Sequence, residues 1–438
     1  MIRWTRRGRR SHLRQRLLPS LERSRRLERA FKLAILAITI VGTIALVGGS
    51  TAGRHGAARL ALRARWAFFR MVGYPPGREE VDARVRLQRA QGIAEKTETY
   101  RGYFEREARP EWRLALKAGG MAPGDALVRW ANVDGTATLS SKVFEADDSG
   151  RAYRFRPNTR SVWTSNVVLT RGLAGFFLLP DSPEVRSALA RAKVDVVPGS
   201  EQTTNSWGCR GAEPDPGAKA RILVLGDSFM QGMLVGDDET PPARLEKALR
   251  EAWGGSVSVL NTGHLGYSPE QYYYTLCEYF DRFRPHFVVV SLYPNDVGNS
   301  LEVLEGGGDW DEAMYWINAI ESFCTARSVP CLLVPIPLEV QVTGQAHQGQ
   351  YPGRLSDRSM LDSSSYLNPL AAFTDEHLRL MKQARATGHS PPTSPLFNGH
   401  LKDAHLSPLG TALWAGEVGR RIALRFDPAS GQVSSGRD

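Results

Sequence analysis

The stretch RILVLGDSFMQG, Arg221 to Gly232, is the one around which the rest of the chain is organised. Its first half is an unbroken apolar run, Ile222-Leu223-Val224-Leu225. It stops at Gly226 with a polar Asp227-Ser228 pair, the pattern of a buried strand ending in a tight turn. In open α/β sheets ligands sit beyond the carboxyl ends of the strands, where the next helix offers unpaired N–H groups to developing negative charge. Ser228 therefore stands where a nucleophile would stand. Gly-Asp-Ser is also an ordinary turn tripeptide, so the chemistry depends on partners elsewhere in the chain.

Downstream of Arg221 the pattern alternates. Strands are expected at Ile222–Leu225, Val257–Leu260, Phe287–Leu292 and Cys331–Ile336, and helices at Ala243–Trp253, Pro269–Phe283 and Glu312–Ala326. Strands and helices alternating at these lengths imply right-handed βαβ units and a parallel sheet covered on both faces. The segment from Gln341 to Leu401, rich in Gly, Ser, Pro and Gln, is read as irregular, either a substrate-side insertion or a solvated loop. Ser407-Pro408, a capping residue followed by proline, announces a last helix running to about Phe426, and the polar tail after Asp427 is expected to be disordered. Upstream, TATLSSKVFEADDSGRAYRFRPNTRSVW alternates apolar and polar residues around Asp148-Ser149-Gly150 and reads as a strand hairpin beside the catalytic domain.

The 438 residues, 42% of them hydrophobic, allow two or three domains with a sizeable core. The net charge of +10 is weighted toward the N-terminus, from Arg3 through Arg29, and is read as a topology signal rather than as a nucleic-acid surface. Between Lys32 and Arg54 no side chain is charged, which suits one transmembrane helix with a cytoplasmic N-terminus and everything after Arg54 outside the cytoplasm. A cleaved signal ending near Ser50-Thr51-Ala52 and a buried core helix are the alternatives. The basic stretch that follows, with Trp66, Phe68 and Phe69, suits a helix lying on the membrane or packing on the domain. Cys209, Cys277, Cys324 and Cys331 have no metal-binding spacing; Cys324 and Cys331 are close enough to pair, or are buried thiols. No metal and no cofactor is expected.

Acyl transfer at a serine needs a base, an acid to orient that base, and donors for the oxyanion. Candidates follow each strand in turn. After the second comes Asn261-Thr262-Gly263-His264-Leu265-Gly266, after the third Tyr293-Pro294-Asn295-Asp296, and before the last helix Asp403-Ala404-His405. Residues two apart in an extended segment point the same way, so Asp403 can fix the tautomer of His405. Each has a plain reading as a turn glycine, a β-turn or a surface histidine near a cap. Together they converge on the sheet edge where a parallel fold gathers its site.

From about Thr203 to Phe426 the chain resembles the SGNH, or GDSL-type, hydrolase family, with GDSF, NTGHLG, YPND and DAH standing as its blocks one, two, three and five. The lead-in TNSWGCRG resembles exported members related to polysaccharide acetyl-esterases and O-acetyltransferases. The resemblance implies a flavodoxin-like three-layer αβα fold. It also implies Ser228 as nucleophile, His405 as base, Asp403 as its partner, and an oxyanion hole from Ser228, Gly266 and Asn295. Gly266 is preferred to Gly263 because the family glycine falls five residues after the block-two asparagine. Two departures stand out: the commoner spacing puts the acid at the position of Lys402, and Tyr293-Pro294 replaces the usual block-three glycine. The GxSxG elbow of the α/β-hydrolases is not met, since Met230 occupies its last position.

The expected organisation is a basic cytoplasmic tail (1–32), a transmembrane helix (33–53), a membrane-proximal helical region (54–136), a β-rich lead-in (137–202), the hydrolase domain (203–427) and a disordered tail (428–438). The expected function is that of a membrane-anchored, extracytoplasmic serine esterase removing acyl groups, acetyl foremost, from a carbohydrate or envelope ester. An O-acyltransferase acting on a polysaccharide and a non-catalytic carbohydrate-binding or assembly protein of the same fold are the alternatives.

Overall fold

The computed structural model describes residues 173–297, 310–345, 365–388, 391–401 and 403–427 without interruption, most of 142–170, and scattered positions elsewhere between Leu114 and Val433. The tail over 1–32, the span between Lys32 and Arg54 and nearly all of the 54–136 region lie outside the described residues. Among the described residues no helix is long and apolar enough to cross a membrane.

The lead-in opens with the expected hairpin. β1 (Phe144–Asp147) and β2 (Ala152–Phe155) pair antiparallel, with Phe144 opposite Phe155 and Asp147 opposite Ala152. Asp147 Oδ1 accepts the Ser149 N–H at 3.0 Å, the side-chain-to-backbone bond that lets an aspartate start a turn. β3 (Arg160–Trp163) follows, then a second hairpin of β4 (Val167–Thr170) and β5 (Leu173–Gly175). β6 (Leu178–Pro180) flanks β3 on one side and β7 (Gln202–Thr203) on the other. Between β6 and β7 lies a helix not anticipated in this β-rich segment, α1 (Pro183–Arg191). Ser182 caps it by accepting the Val185 N–H, Pro183 starts it, and Val185, Ala188 and Leu189 bury one face at helical spacing.

The second half of the described chain follows from a run of buried strands. In chain order its elements are β8 (Ala220–Leu225), α2 (Ser228–Gln231), α3 (Pro241–Trp253), β9 (Val257–Asn261), α4 (Pro269–Phe283), β10 (Phe287–Leu292), α5 (Trp310–Ala326), β11 (Cys331–Pro335), α6 (Glu339–Val342), α7 (Leu370–Ala386) and α8 (Pro408–Ala423). The sheet order is β11-β10-β8-β9, all parallel, with Val289 beside both Val224 and Leu332. Every residue of β10 is buried, as a strand covered on both faces requires. The chain winds from β8 outward to β9, then back past β8 to β10 and on to β11. Right-handed crossovers in opposite directions put their helices on opposite faces: α3 packs with α8, and α4 with α5. This is the flavodoxin-like order, its fifth position reduced to one parallel bridge between Leu333 and Tyr366 and a 2.9 Å bond from the Leu367 N–H to the Leu333 carbonyl.

One expectation changes. The Gln341–Leu401 segment, read as irregular, holds α6 and the 17-residue α7. α7 buries only Phe373 and His377, so it offers little apolar periodicity to betray it. Gln432–Val433 pairs antiparallel with Phe426–Asp427, where Phe426 is buried near Trp253 and His286, and the rest of the 428–438 tail lies outside the described residues. Of the two alternatives left open for Cys324 and Cys331, the disulfide is not formed, and none of the four cysteines is in one.

Candidate active site

The site lies at the carboxyl edge of the sheet, beside the switch point where the connections from β8 and from β10 diverge. β8 ends at Leu225, and the chain turns through Gly226 and Asp227 into α2, whose first residue is Ser228. Asp227 caps this helix by accepting the Phe229 N–H at 2.9 Å. A helix of only four residues needs support at its other end as well, and Arg210, a buried side chain from the lead-in, provides it. One Nη donates to the carbonyls of Gln231, at 2.8 Å, and Gly232; the other donates to Val235, at 2.6 Å, while Nε pairs with Asp237 at 2.9 Å. A fixed cation at the carbonyl end of α2 also suits its dipole.

His405 arrives from the loop before α8. Its Nδ1–H donates to Asp403 Oδ1 at 2.7 Å, and since a carboxylate only accepts, Nε2 is left as the acceptor for the Ser228 hydroxyl at 2.8 Å. The same Asp403 oxygen accepts the His405 backbone N–H at 2.8 Å, so one atom fixes both the position and the tautomer of the imidazole. This is the spacing of two that replaces the commoner three. The loop itself is bracketed by Asn398. Its N–H donates to the His405 carbonyl at 2.8 Å, its amide Nδ2 to the Leu406 carbonyl at 3.1 Å, and its carbonyl accepts the Asp403 N–H at 3.3 Å. The Phe229 ring lies 4.4 Å from the imidazole and 4.1 Å from the Tyr293 ring, so apolar packing limits rotation of the His405 ring.

The charges are set by burial and neighbours. Burial opposes charge on His405, yet the Asp403 carboxylate, with its hydrogen bond and help from Asp227, raises the imidazole above its ordinary value. Burial pushes the Asp403 carboxyl up, but His405 outweighs it and holds it below the usual carboxylate range. Beneath them lie two buried carboxyls, Asp227 and Asp296. Burial raises Asp227; burial and the nearby Asp227 charge push Asp296 higher still. Asp296 accepts the Tyr272 hydroxyl at 2.7 Å and the Tyr293 N–H at 2.8 Å, closing the 3-10 turn Pro294–Asp296 that carries Asn295. The Asn295 amide also favours charge on Asp227. Asp227 Oδ2 nevertheless lacks a hydrogen-bond partner at bonding geometry, so this contact acts as a dipole beside a charge.

The two block-two glycines differ. Gly263 packs against the serine helix so closely that a Cβ there would sit 2.2 Å from the Gln231 nitrogen, and its own N–H is taken by Asn261 Oδ1 at 3.0 Å. Gly266 is buried with a φ of +68°, and no acceptor among the described residues meets its N–H. The Ser228 N–H likewise finds no acceptor among the described residues. Buried backbone donors are paired in the great majority of cases, so an orphaned one calls for an explanation. The sequence alone assigns no role to Arg210, Asn398 or Asp296: Arg210 and Asp296 stand within its quoted motifs TNSWGCRG and YPND, whereas Asn398 carries no local signal.

No protein-family model and no curated protein matches the chain. Among solved structures it is similar to AlinE4, an SGNH-hydrolase family esterase, at 21% identity over 39% of this chain and 96% of that one, with a TM-score of 0.27. It is also similar to the acetyl xylan esterase AlAXEase (14% identity, 46% and 99% coverage, TM-score 0.35) and to the lipase/acylhydrolase from Enterococcus faecalis (14%, 50% and 100%, TM-score 0.28). Likeness of this size leaves the chemistry to be read from the chain's own residues. In the order of its motifs and the sheet edge on which they meet, the chain is similar to the SGNH, or GDSL-type, hydrolases.

Proposed function

We propose that this chain is a serine esterase in which His405 takes the Ser228 proton, Asp403 stabilises the imidazolium that forms, and the Ser228 and Gly266 N–H groups with the Asn295 amide hold the tetrahedral oxyanion. The observation that carries the reading is the continuous hydrogen-bonded path from Ser228 Oγ through both ring nitrogens of His405 to Asp403. In the first step Ser228 Oγ bonds to the acyl carbon as its proton passes to Nε2. The same proton then goes to the leaving alkoxide, and water repeats the sequence to release the acid. Acyl esters of carbohydrate or envelope material, acetyl first among them, are the substrates we assign to it. The uncharged span between Lys32 and Arg54 would tether the domain outside the cytoplasm.

A fluorophosphonate probe tests the nucleophile: it should label the wild type and not Ser228→Ala, and labelling of both would reject the assignment. Hydrolysis of a panel of acetylated sugars, with and without an acceptor sugar, then separates hydrolysis from acyl transfer. A reporter fused after Asp438 should be active outside the cytoplasm, and activity confined to the cytoplasm would sink the topology.

A further inference from the structure

The hairpin of β1 and β2 is outside the catalytic sheet, and its sequence has no counterpart among the motifs that mark the site. It nevertheless grips the loop that carries Gly266. The Phe155 N–H donates to His264 Nε2 at 3.1 Å, the Tyr153 hydroxyl donates to the Leu265 carbonyl, and the Tyr267 hydroxyl returns a bond to the Tyr153 carbonyl. The rings interleave as well: His264 stacks on Phe155 at 4.0 Å and on Tyr267 at 4.5 Å, and Tyr153 stands edge-on to Tyr267 at 5.4 Å. Tyr153 is 2% exposed. Burial drives its phenol well above the ordinary value, so it remains a donor.

The bond to Leu265 matters because of what shares its plane. The Leu265 carbonyl and the Gly266 N–H belong to one peptide unit, and in a trans peptide the two point in opposite directions. A hydroxyl that holds the carbonyl toward the hairpin therefore holds the N–H away from it. Backbone sterics alone do not secure this orientation, since glycine accepts positive and negative φ about equally and the preceding peptide can turn over at little cost. Turned over, that unit would present a carbonyl oxygen where the oxyanion must form.

We propose that Tyr153 is a positioning residue of the oxyanion hole, acting through the Leu265–Gly266 peptide to keep the Gly266 N–H aimed at the reacting centre. The proposal rests on the esterase reading above. It makes the lead-in hairpin a working part of the site rather than a neighbouring ornament of the fold.

The test is Tyr153→Phe in the full chain, which keeps the ring and removes only the donor. Losing an oxyanion donor outright costs about 10²- to 10³-fold in kcat; since the peptide is freed rather than removed, we expect kcat to fall about tenfold or more with KM unchanged. Affinity for a boronic acid, whose tetrahedral adduct mimics the intermediate, should fall by a similar factor. A purely structural role would lower the unfolding temperature and leave kcat and boronate affinity at wild-type values, and that result overturns the proposal. A measurement on the wild type covers the case in which the variant does not fold. Glycine follows leucine at only three positions in the chain, so paired labelling of the leucine carbonyl and glycine nitrogen leaves three amides, of which Gly266 is told apart by substituting Leu265. Its proton should shift downfield when the boronic acid binds, and an unmoved resonance at saturation rejects the proposal. A wild type inert to esters and to the fluorophosphonate would instead reject the esterase reading itself, whereas an active wild type matched by Tyr153→Phe rejects only this inference.

Discussion

Asp403→Asn isolates the electrostatic part of the triad. Asparagine keeps an oxygen that can accept both the His405 Nδ1–H and its backbone N–H, now 2.7 and 2.8 Å from Asp403 Oδ1, so the loop geometry survives while the charge is lost. With charge centres about 4 Å apart and an effective dielectric near 20, the imidazolium–carboxylate attraction is about 4 kcal/mol. That attraction exists only once His405 is protonated, so its loss falls on the transition state, and about 10³-fold in kcat is the corresponding scale. The pH profile should move too. Catalysis needs neutral His405, so kcat/KM rises with pH through its pKa, and in the wild type Asp403 holds that pKa above the ordinary imidazole value against the effect of burial. Without the carboxylate the pKa falls, and the acid limb of the profile shifts to lower pH. The assay is ester hydrolysis from about pH 5 to 9 for both proteins. A variant with wild-type kcat and an unmoved acid limb would refute the assignment of Asp403, its spacing of two from His405 then being a coincidence of the loop.

Ser228→Ala and His405→Ala should each abolish hydrolysis, and the double variant should be no worse than either, because both remove the same step; near-normal turnover in Ser228→Ala rules out a serine mechanism. Asn295→Ala should lower kcat by about 10²-fold with the unfolding temperature little changed, whereas a loss of stability at unchanged kcat would make Asn295 only a turn residue. Arg210→Met strips the bonds to Gln231, Gly232 and Val235 and leaves Asp237 without its cation. Leaving buried carbonyls of the α2 turn without their donor should cost about 1–3 kcal/mol in denaturant unfolding, and a midpoint equal to the wild type's would show that α2 holds without it.

Local patterning carried the sequence a long way. Pro269–Phe283 was legible residue for residue because proline, a capping serine and an apolar stripe act within a few positions of one another. Ile222–Leu225 and Phe287–Leu292 were legible because a strand buried on both faces has no polar position to confuse with another period. Averaging over a Gly- and Pro-rich window hid α7, since a helix that buries two side chains leaves the window's composition to decide.

The sequence by itself determined that a serine ends a buried strand and that candidate donors and a histidine follow later in the chain. Those are properties of short segments, set by backbone preference and by the alternation of apolar and polar side chains. Only the tertiary structure decided which of them meet. The Ser228–His405 contact joins positions 177 apart, and Tyr153 reaches Leu265 across 112. Gly266 is preferred to Gly263 on spacing alone, but the physical difference between them is tertiary: the Asn261 side chain occupies the Gly263 N–H, and no acceptor among the described residues meets that of Gly266. Contacts of that range depend on how the crossovers wind and which faces bury, and no window of sequence encodes them because the entropy lost in closing so long a loop is repaid by the whole core rather than by the residues that touch.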